Sequence, residues 1–235
     1  MAQYSEPNIQ GIVKPRFPGS FAGVTEIQDQ HEPNIIGVDQ SHFPGTKSPL
    51  KILELNFDGP DQSTSIIDTS PFARTAILSG SVKLSTTDPI QGRSSLSLDG
   101  LNDYITYSAS SDFALGNNDF YWGLRFRTSS QKPNMKVIGM GNCFFLIQNG
   151  SINLATSIFD FNGGTISDYR ITDGESHLLE FRRYNNLIET SIDRRIVNRA
   201  VASPFESTTR PFYFGGFGSD VTNFEGSIDN FIFLK

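Results

Sequence analysis

Three alternating segments follow one another between Gly92 and Phe126, and they narrow the choice of fold class more than any other feature of the chain. Leu96 and Leu98 alternate with Ser95, Ser97 and Asp99. Ile105 and Tyr107 alternate with Tyr104 and Thr106. Phe120, Trp122, Leu124 and Phe126 alternate with Tyr121, Gly123 and Arg125. A period of two sends successive side chains to opposite faces, so each segment predicts a strand with one buried face. The breaks between them, Asp99 to Asp103 and Leu115 to Asp119, are rich in Gly, Asn and Asp, which supply turn geometry. The block carries the only tryptophan and is expected to form the middle of the core.

The same signal continues on both sides. Leu50 to Phe57 partly alternates and stops at Asp58-Gly59-Pro60, so it reads as the first strand, with Thr64 to Asp68 and Ala76 to Leu78 as short strands after it. Met135 to Met140, Cys143 to Gln148 and Ile152 to Ile158 read as a meander turning at Gly141-Asn142 and Asn149-Gly150; Asn-Gly is a strong hairpin signal. His177 to Tyr184 and Leu187 to Asp193 are two more strands joined at Asn185-Asn186. Ile196 to Val201, Pro211 to Gly216 and Phe224 to Leu234 follow, and the final strand is expected in the core sheet. About a dozen short strands without a convincing helix predict an all-β, antiparallel, two-sheet sandwich over residues 50–235.

Composition excludes several functions. A net charge of -6 and a pI near 5.0 argue against binding nucleic acid through a basic surface. No apolar run approaches the roughly 20 residues that span a bilayer, and the N-terminus has no basic and apolar leader pattern. The expectation is a chain made in the cytoplasm that leaves, if at all, by another route such as lysis. The single cysteine, Cys143, precludes an intrachain disulfide, and Phe144, Phe145 and Leu146 beside it predict a buried thiol.

Residues 1–49 read differently. Pro7, Pro15, Pro18, Pro33, Pro44 and Pro49 interrupt them and no periodic segment develops, which predicts an extended arm. The arm repeats itself: Glu6 to Ile12 matches Glu32 to Val38, and Phe17-Pro18-Gly19 matches Phe43-Pro44-Gly45, both at an offset of 26 residues. Two copies are too few for a solenoid. They suit a pair of docking peptides in which Ile9, Phe17 and Pro18, then Ile35, Phe43 and Pro44, fill equivalent pockets on a repeated partner, gaining avidity from the linkage. The plainer alternative is a duplicated linker lying on its own domain.

The order of motifs carries a resemblance. Asn56 to Gly59, then Gly92 to Gly100 with Asp103-Tyr104-Ile105, then Asp119 to Phe126, then Asp173 to His177, Ile192-Asp193 and Phe224 to Phe231, resembles the concanavalin A-like, laminin-G-type jelly roll. It departs at Ser176, where the family often has Trp before the His. The resemblance covers residues 50–235 and implies a jelly roll, but the fold hosts glycosidases, lectins, adhesion modules and viral coat components alike. A glycosidase needs two carboxylates across a sugar, and the Glu-x-Asp-x-x-Glu type motif of the related glucanases is absent. Glu180 is isolated, and Glu189 is followed by Asp193 only at its strand's end. No enzymatic activity is expected. His177 reads as a partly buried family-type residue, and His31 and His42 lie in the arm without cysteine partners.

The resemblance further implies calcium as the one cofactor worth weighing, with Asp58, Asp99, Asp103 and Asp229, helped by Asp61 and Asn102, as donors; Asp58-Gly59 and Asp99-Gly100 are equally explained as turns. For a glycan site, Tyr121, Phe161 and Tyr169, with Tyr184, are the candidate aromatics, although aromatic residues on strands more often face a core. The expected function is structural: a bacteriophage virion protein, either a capsid decoration or a tail appendage, oligomeric and docked through its arm on capsid or tail subunits. The alternative is a lectin-like module recognising a host surface glycan.

Overall fold

A computed structural model describes residues 49–141, 143–156, 170–201, 205, 209–218 and 222–235. The arm expected over residues 1–49 lies, but for Pro49, outside the described residues. Among the described residues there are fourteen strands: β1 (Lys51–Leu55), β2 (Ile77–Ser79), β3 (Lys83–Ser85), β4 (Ser95–Asp99), β5 (Tyr104–Ser110), β6 (Phe120–Arg127), β7 (Asn134–Met140), β8 (Cys143–Gln148), β9 (Ser151–Thr156), β10 (Ser176–Tyr184), β11 (Leu187–Ile192), β12 (Arg195–Val201), β13 (Arg210–Phe214) and β14 (Glu225–Leu234).

They form two antiparallel sheets packed as a jelly-roll sandwich. The eight-stranded sheet runs β12-β11-β10-β6-β14-β4-β3 with β1 also on β14, and the six-stranded sheet runs β2-β5-β13-β7-β8-β9. The last strand is central, as expected from its strand pattern: β14 pairs with β1, β4 and β6. Consecutive strands of the opening block, β5 and β6, sit in different sheets, so their inward faces meet across the core.

That core is aromatic. The Trp122 ring lies 5.3 Å from Phe181, 5.1 Å from Phe212 and 5.7 Å from Phe233, each edge-to-face. Phe212 and Phe214 of β13 pack against Phe231 of β14 at 5.3 and 4.8 Å, joining the sheets. Edge-to-face pairs add about 0.5–1.5 kcal/mol each beyond area burial. Cys143 is buried, and burial pushes its thiol up to about 12.

Two turns follow directly from sequence. Asn149 and Gly150 both have positive φ, 51° and 81°, and so do Asn185 and Asn186, 47° and 61°; this is the hairpin turn whose twist matches its strands. One local expectation needs correction. Thr64 to Asp68 forms no strand: Ser65 N turns back to the Ser63 hydroxyl, and the flanking Ser63 O and Thr69 N make single bonds to Leu84 N and Glu54 O rather than a ladder. β3, of three residues, was not anticipated. Among the described residues there is one 3-10 turn, Ser111–Phe113, capped by the Ser110 hydroxyl accepting from Asp112 N.

Candidate functional site

The site begins with a buried carboxylate. Asp68 Oδ1 accepts from Glu54 N at 3.1 Å and Ser70 N at 2.9 Å, while Oδ2 accepts from the Ser70 hydroxyl at 2.9 Å and Arg74 N at 2.8 Å. Buried polar groups are kept only when hydrogen-bonded, and here one carboxylate folds the 68–74 loop on itself. The fold of that loop carries Phe72 and Arg74 to the end of β5.

Arg74 is then fixed on several sides. Its Nη2 donates to Asp112 Oδ2 at 2.7 Å and its Nε to Ile52 O at 3.3 Å. Its guanidinium lies over the Phe72 ring at 4.3 Å and over Phe113 at 4.9 Å. The hydrogen bond from Arg74, helped by one from Ser110 and partly opposed by burial, holds the Asp112 carboxyl below its usual range. Phe72 keeps 37% of its surface exposed. Beside it, Thr75, Ser108, Ala109 and Ser110 complete an open cleft of about 390 Å³. Ser110 is committed to Asp112, whereas among the described residues the Thr75 and Ser108 hydroxyls have no hydrogen-bond partner. A propped aromatic plate beside free hydroxyls can bind a ligand that offers one apolar face and a rim of hydroxyl groups.

The residues singled out from sequence fall elsewhere. Asp58 Oδ1 accepts from Arg93 N at 2.7 Å, and Asp99 Oδ1 from Leu101 N at 2.8 Å. Asp103 accepts from Ser81 N and Asp99 N, and Asp229 from Gln91 N, the Ser95 hydroxyl and Asn230 N. The four do not converge as a calcium site requires: Asp99 and Asp103 meet in one turn while Asp58 and Asp229 latch the 90–95 segment. Among the described residues no three His, Cys, Asp or Glu side chains are grouped to hold a metal. Main-chain N–H groups bond to all four carboxylates, which for Asp58 and Asp99 is the turn role weighed beside calcium.

Tyr121 also needs correction as a glycan platform: it is 5% exposed and its hydroxyl donates to Glu180 Oε1 at 2.9 Å. It faces away from the main core yet packs with Ile232 and Leu234. Phe161, Tyr169, His31, His42 and the docking residues Ile9, Phe17, Pro18, Ile35, Phe43 and Pro44 lie outside the described residues. Glu180 also accepts from the Ser191 hydroxyl at 2.7 Å. Burial raises Glu189, but Arg182 and Arg199 more than offset it, so its carboxyl sits below its usual range. His177 is buried between Asp173 and Asp193.

Sequence reasoning passed over Phe72, Arg74 and Ser108. The available signal was Pro71-Phe72-Ala73-Arg74, an aromatic and an arginine two apart in a stretch without period. Nothing local said that β5 would lie beside it.

With this geometry in place, part of the chain proves similar to a known domain family. Residues 142–234 match the family model described as Laminin G domain. No curated protein matches the chain. Domain 4 of AbnA, an extracellular GH43 arabinanase from Geobacillus stearothermophilus solved in complex with arabinotriose, superposes with a TM-score of 0.59 at 15% identity, over 80% of this chain and 94% of that one. A structure of botulinum neurotoxin type C, whose cell entry depends upon interaction with two ganglioside molecules, gives 0.55 at 12% identity over 79% of this chain and 47% of that one. The binding domain of botulinum neurotoxin DC, in complex with SialylT, gives 0.55 at 13% identity over 78% and 47%. The chain thus spans about half the length of the toxin structures. At these identities the likeness is one of fold.

Proposed function

We propose that the sandwich is a non-catalytic glycan-binding module and that the Phe72 cleft is its site. The observation that carries this reading is the exposed Phe72 ring, propped on the Arg74 guanidinium beside the free hydroxyls of Thr75 and Ser108. An aromatic face with a few placed polar groups is how concave sites orient a small ligand. Support also comes from neighbours of the same fold solved with saccharides, arabinotriose in one case and SialylT in another. The test is a glycan array probed with the full chain and with Phe72→Ala. Saccharide binding that disappears in Phe72→Ala supports the reading; an array with no saccharide bound by the wild-type chain sinks it.

A second reading concerns attachment, and the 26-residue repeat carries it. The arm docks its two copies on repeated neighbours, as a decoration protein docks on capsid or tail subunits of a virion, and the sandwich projects outward as part of a homo-oligomer. Deleting residues 1–49 would then abolish incorporation into the assembly and leave saccharide binding intact. Normal incorporation of the truncated chain would end this reading.

A further inference from the structure

Resting on the glycan reading above, we infer that the cleft takes neutral saccharides and discriminates against sialylated, sulfated or uronate-bearing ones. The argument is one of charge. Arg74 is the cation that lines the cleft, and an unpaired arginine there would favour a carboxylate or sulfate through paired N–H donors. This arginine is not unpaired. Asp112 neutralises it at 2.7 Å, Ile52 O holds its Nε at 3.3 Å, and Phe72 and Phe113 cover its faces.

The charges behind it balance as well. Lys51 pairs with Glu54 at 2.9 Å, and the Lys235 ammonium is held on the main-chain carbonyls of Asp112 and Ala114. Asp68 is surrounded by its own N–H and O–H donors. What the cleft presents outward is an aromatic face and the neutral hydroxyls of Thr75 and Ser108. The net charge of -6 repels an approaching anion at longer range. Arg74 is therefore a prop that stiffens Phe72, and a neutral sugar ring whose C–H face stacks on Phe72 meets no unpaired charge.

Titration calorimetry of the full chain at physiological salt tests this with two probe sets: arabinotriose, cellotriose and maltotriose against 3′-sialyllactose and a heparin tetrasaccharide. The expected result is binding of at least one neutral probe, with the anionic probes weaker by about tenfold or more. Phe72→Ala should abolish it with an unchanged thermal melt. Asp112→Asn, which uncovers the Arg74 charge, should raise the anionic affinity. Tighter binding of an anionic probe, lost in Arg74→Gln, overturns the inference and leaves the glycan reading standing. Neutral binding unaffected by Phe72→Ala shows that the cleft is not the site and overturns the inference. Failure of all five probes with wild-type protein, alongside a positive glycan array, also overturns it; failure on the array as well removes the glycan reading itself.

Discussion

His177 Nδ1 lies 2.8 Å from Asp193 Oδ2, across 16 residues of sequence. Its other nitrogen, Nε2, lies 3.1 Å from Asp173 Oδ1. Asp193 Oδ1 accepts from Leu178 N at 2.8 Å, and Asp193 N donates to Leu178 O at 2.9 Å. One buried ring thus ties the loop before β10 to the turn after β11. Asp173 to His177 and Ile192-Asp193, two separate pieces of the family resemblance, are one hydrogen-bonded unit.

Replacing Asp193 by Ala removes the acceptor for both the ring and Leu178 N, and is expected to cost about 1–3 kcal/mol. Asn keeps an acceptor and tolerates the left-handed backbone at this position, φ 50°, so Asp193→Asn should cost less. Guanidinium unfolding at neutral pH measures both. A midpoint for Asp193→Ala equal to wild type would contradict the clamp.

Asp229 makes stability depend on pH in an unusual direction. Burial pushes its carboxyl up to about 6, partly offset by hydrogen bonds from Ser95, Gln91 N and Asn230 N, with Asp58 adding repulsion. Between its ordinary value of 3.8 and about 6, the folded chain holds a proton that the unfolded chain has released. Its contribution is therefore full below the ordinary value and is lost as pH rises through about 6. The loss approaches roughly 1.4 kcal/mol per pH unit across that window. Asp112, Asp173 and Glu189, held low, act in the opposite sense, losing their contribution as pH falls through their folded values. Unfolding midpoints from pH 4 to pH 7 should fall with a slope that Asp229→Asn removes; parallel wild-type and variant profiles would refute this.

Gly226 is expected to reject any side chain. Its φ is 147°, and a Cβ there would run into the carbonyl oxygen of Arg127 on the neighbouring strand. Gly226→Ala combines backbone strain of about 1–3 kcal/mol with that clash. It should lower the thermal midpoint and weaken amide protection in β4, which pairs at Leu98. An unchanged melt would show that β14 can shift to accommodate a methyl.

The core aromatics should not be equally costly to change. Trp122 Nε1 is buried without a hydrogen-bond partner. Trp122→Phe removes volume but also that unsatisfied donor, so its cost should fall near 1–2 kcal/mol. Phe212→Ala leaves a cavity between Trp122, Phe231 and Phe233 and should cost about 3–5 kcal/mol. Chemical denaturation of both variants compares them, and equal losses would contradict the account of Trp122.

Much of the fold was legible because period-two burial is written residue by residue. β4, β5, β6, β10, β11 and β14 all lie where alternation places them, and both Asn-containing hairpin turns take the backbone that their residues favour. Two short stretches were not legible: the three residues of β3, and the 64–68 segment, which forms no ladder. The cleft was illegible for a different reason. Phe72 and Ser108 are far apart in sequence and become neighbours only when the 68–74 loop folds around Asp68 at the end of β5.

The sequence by itself determined the two-sheet sandwich, the aromatic core around Trp122 and the place of the last strand in the central sheet, because each is encoded by the local alternation of apolar and polar residues. It also determined the repeat in the arm, which is a property of sequence. Tertiary structure alone decided that Tyr121 is covered, that the aspartates serve main-chain N–H groups, and that Arg74 stands between Asp112 and Phe72. Those outcomes depend on which strands and loops lie side by side, and pairing across long separations sets the charge and exposure of a side chain in ways its near neighbours do not record.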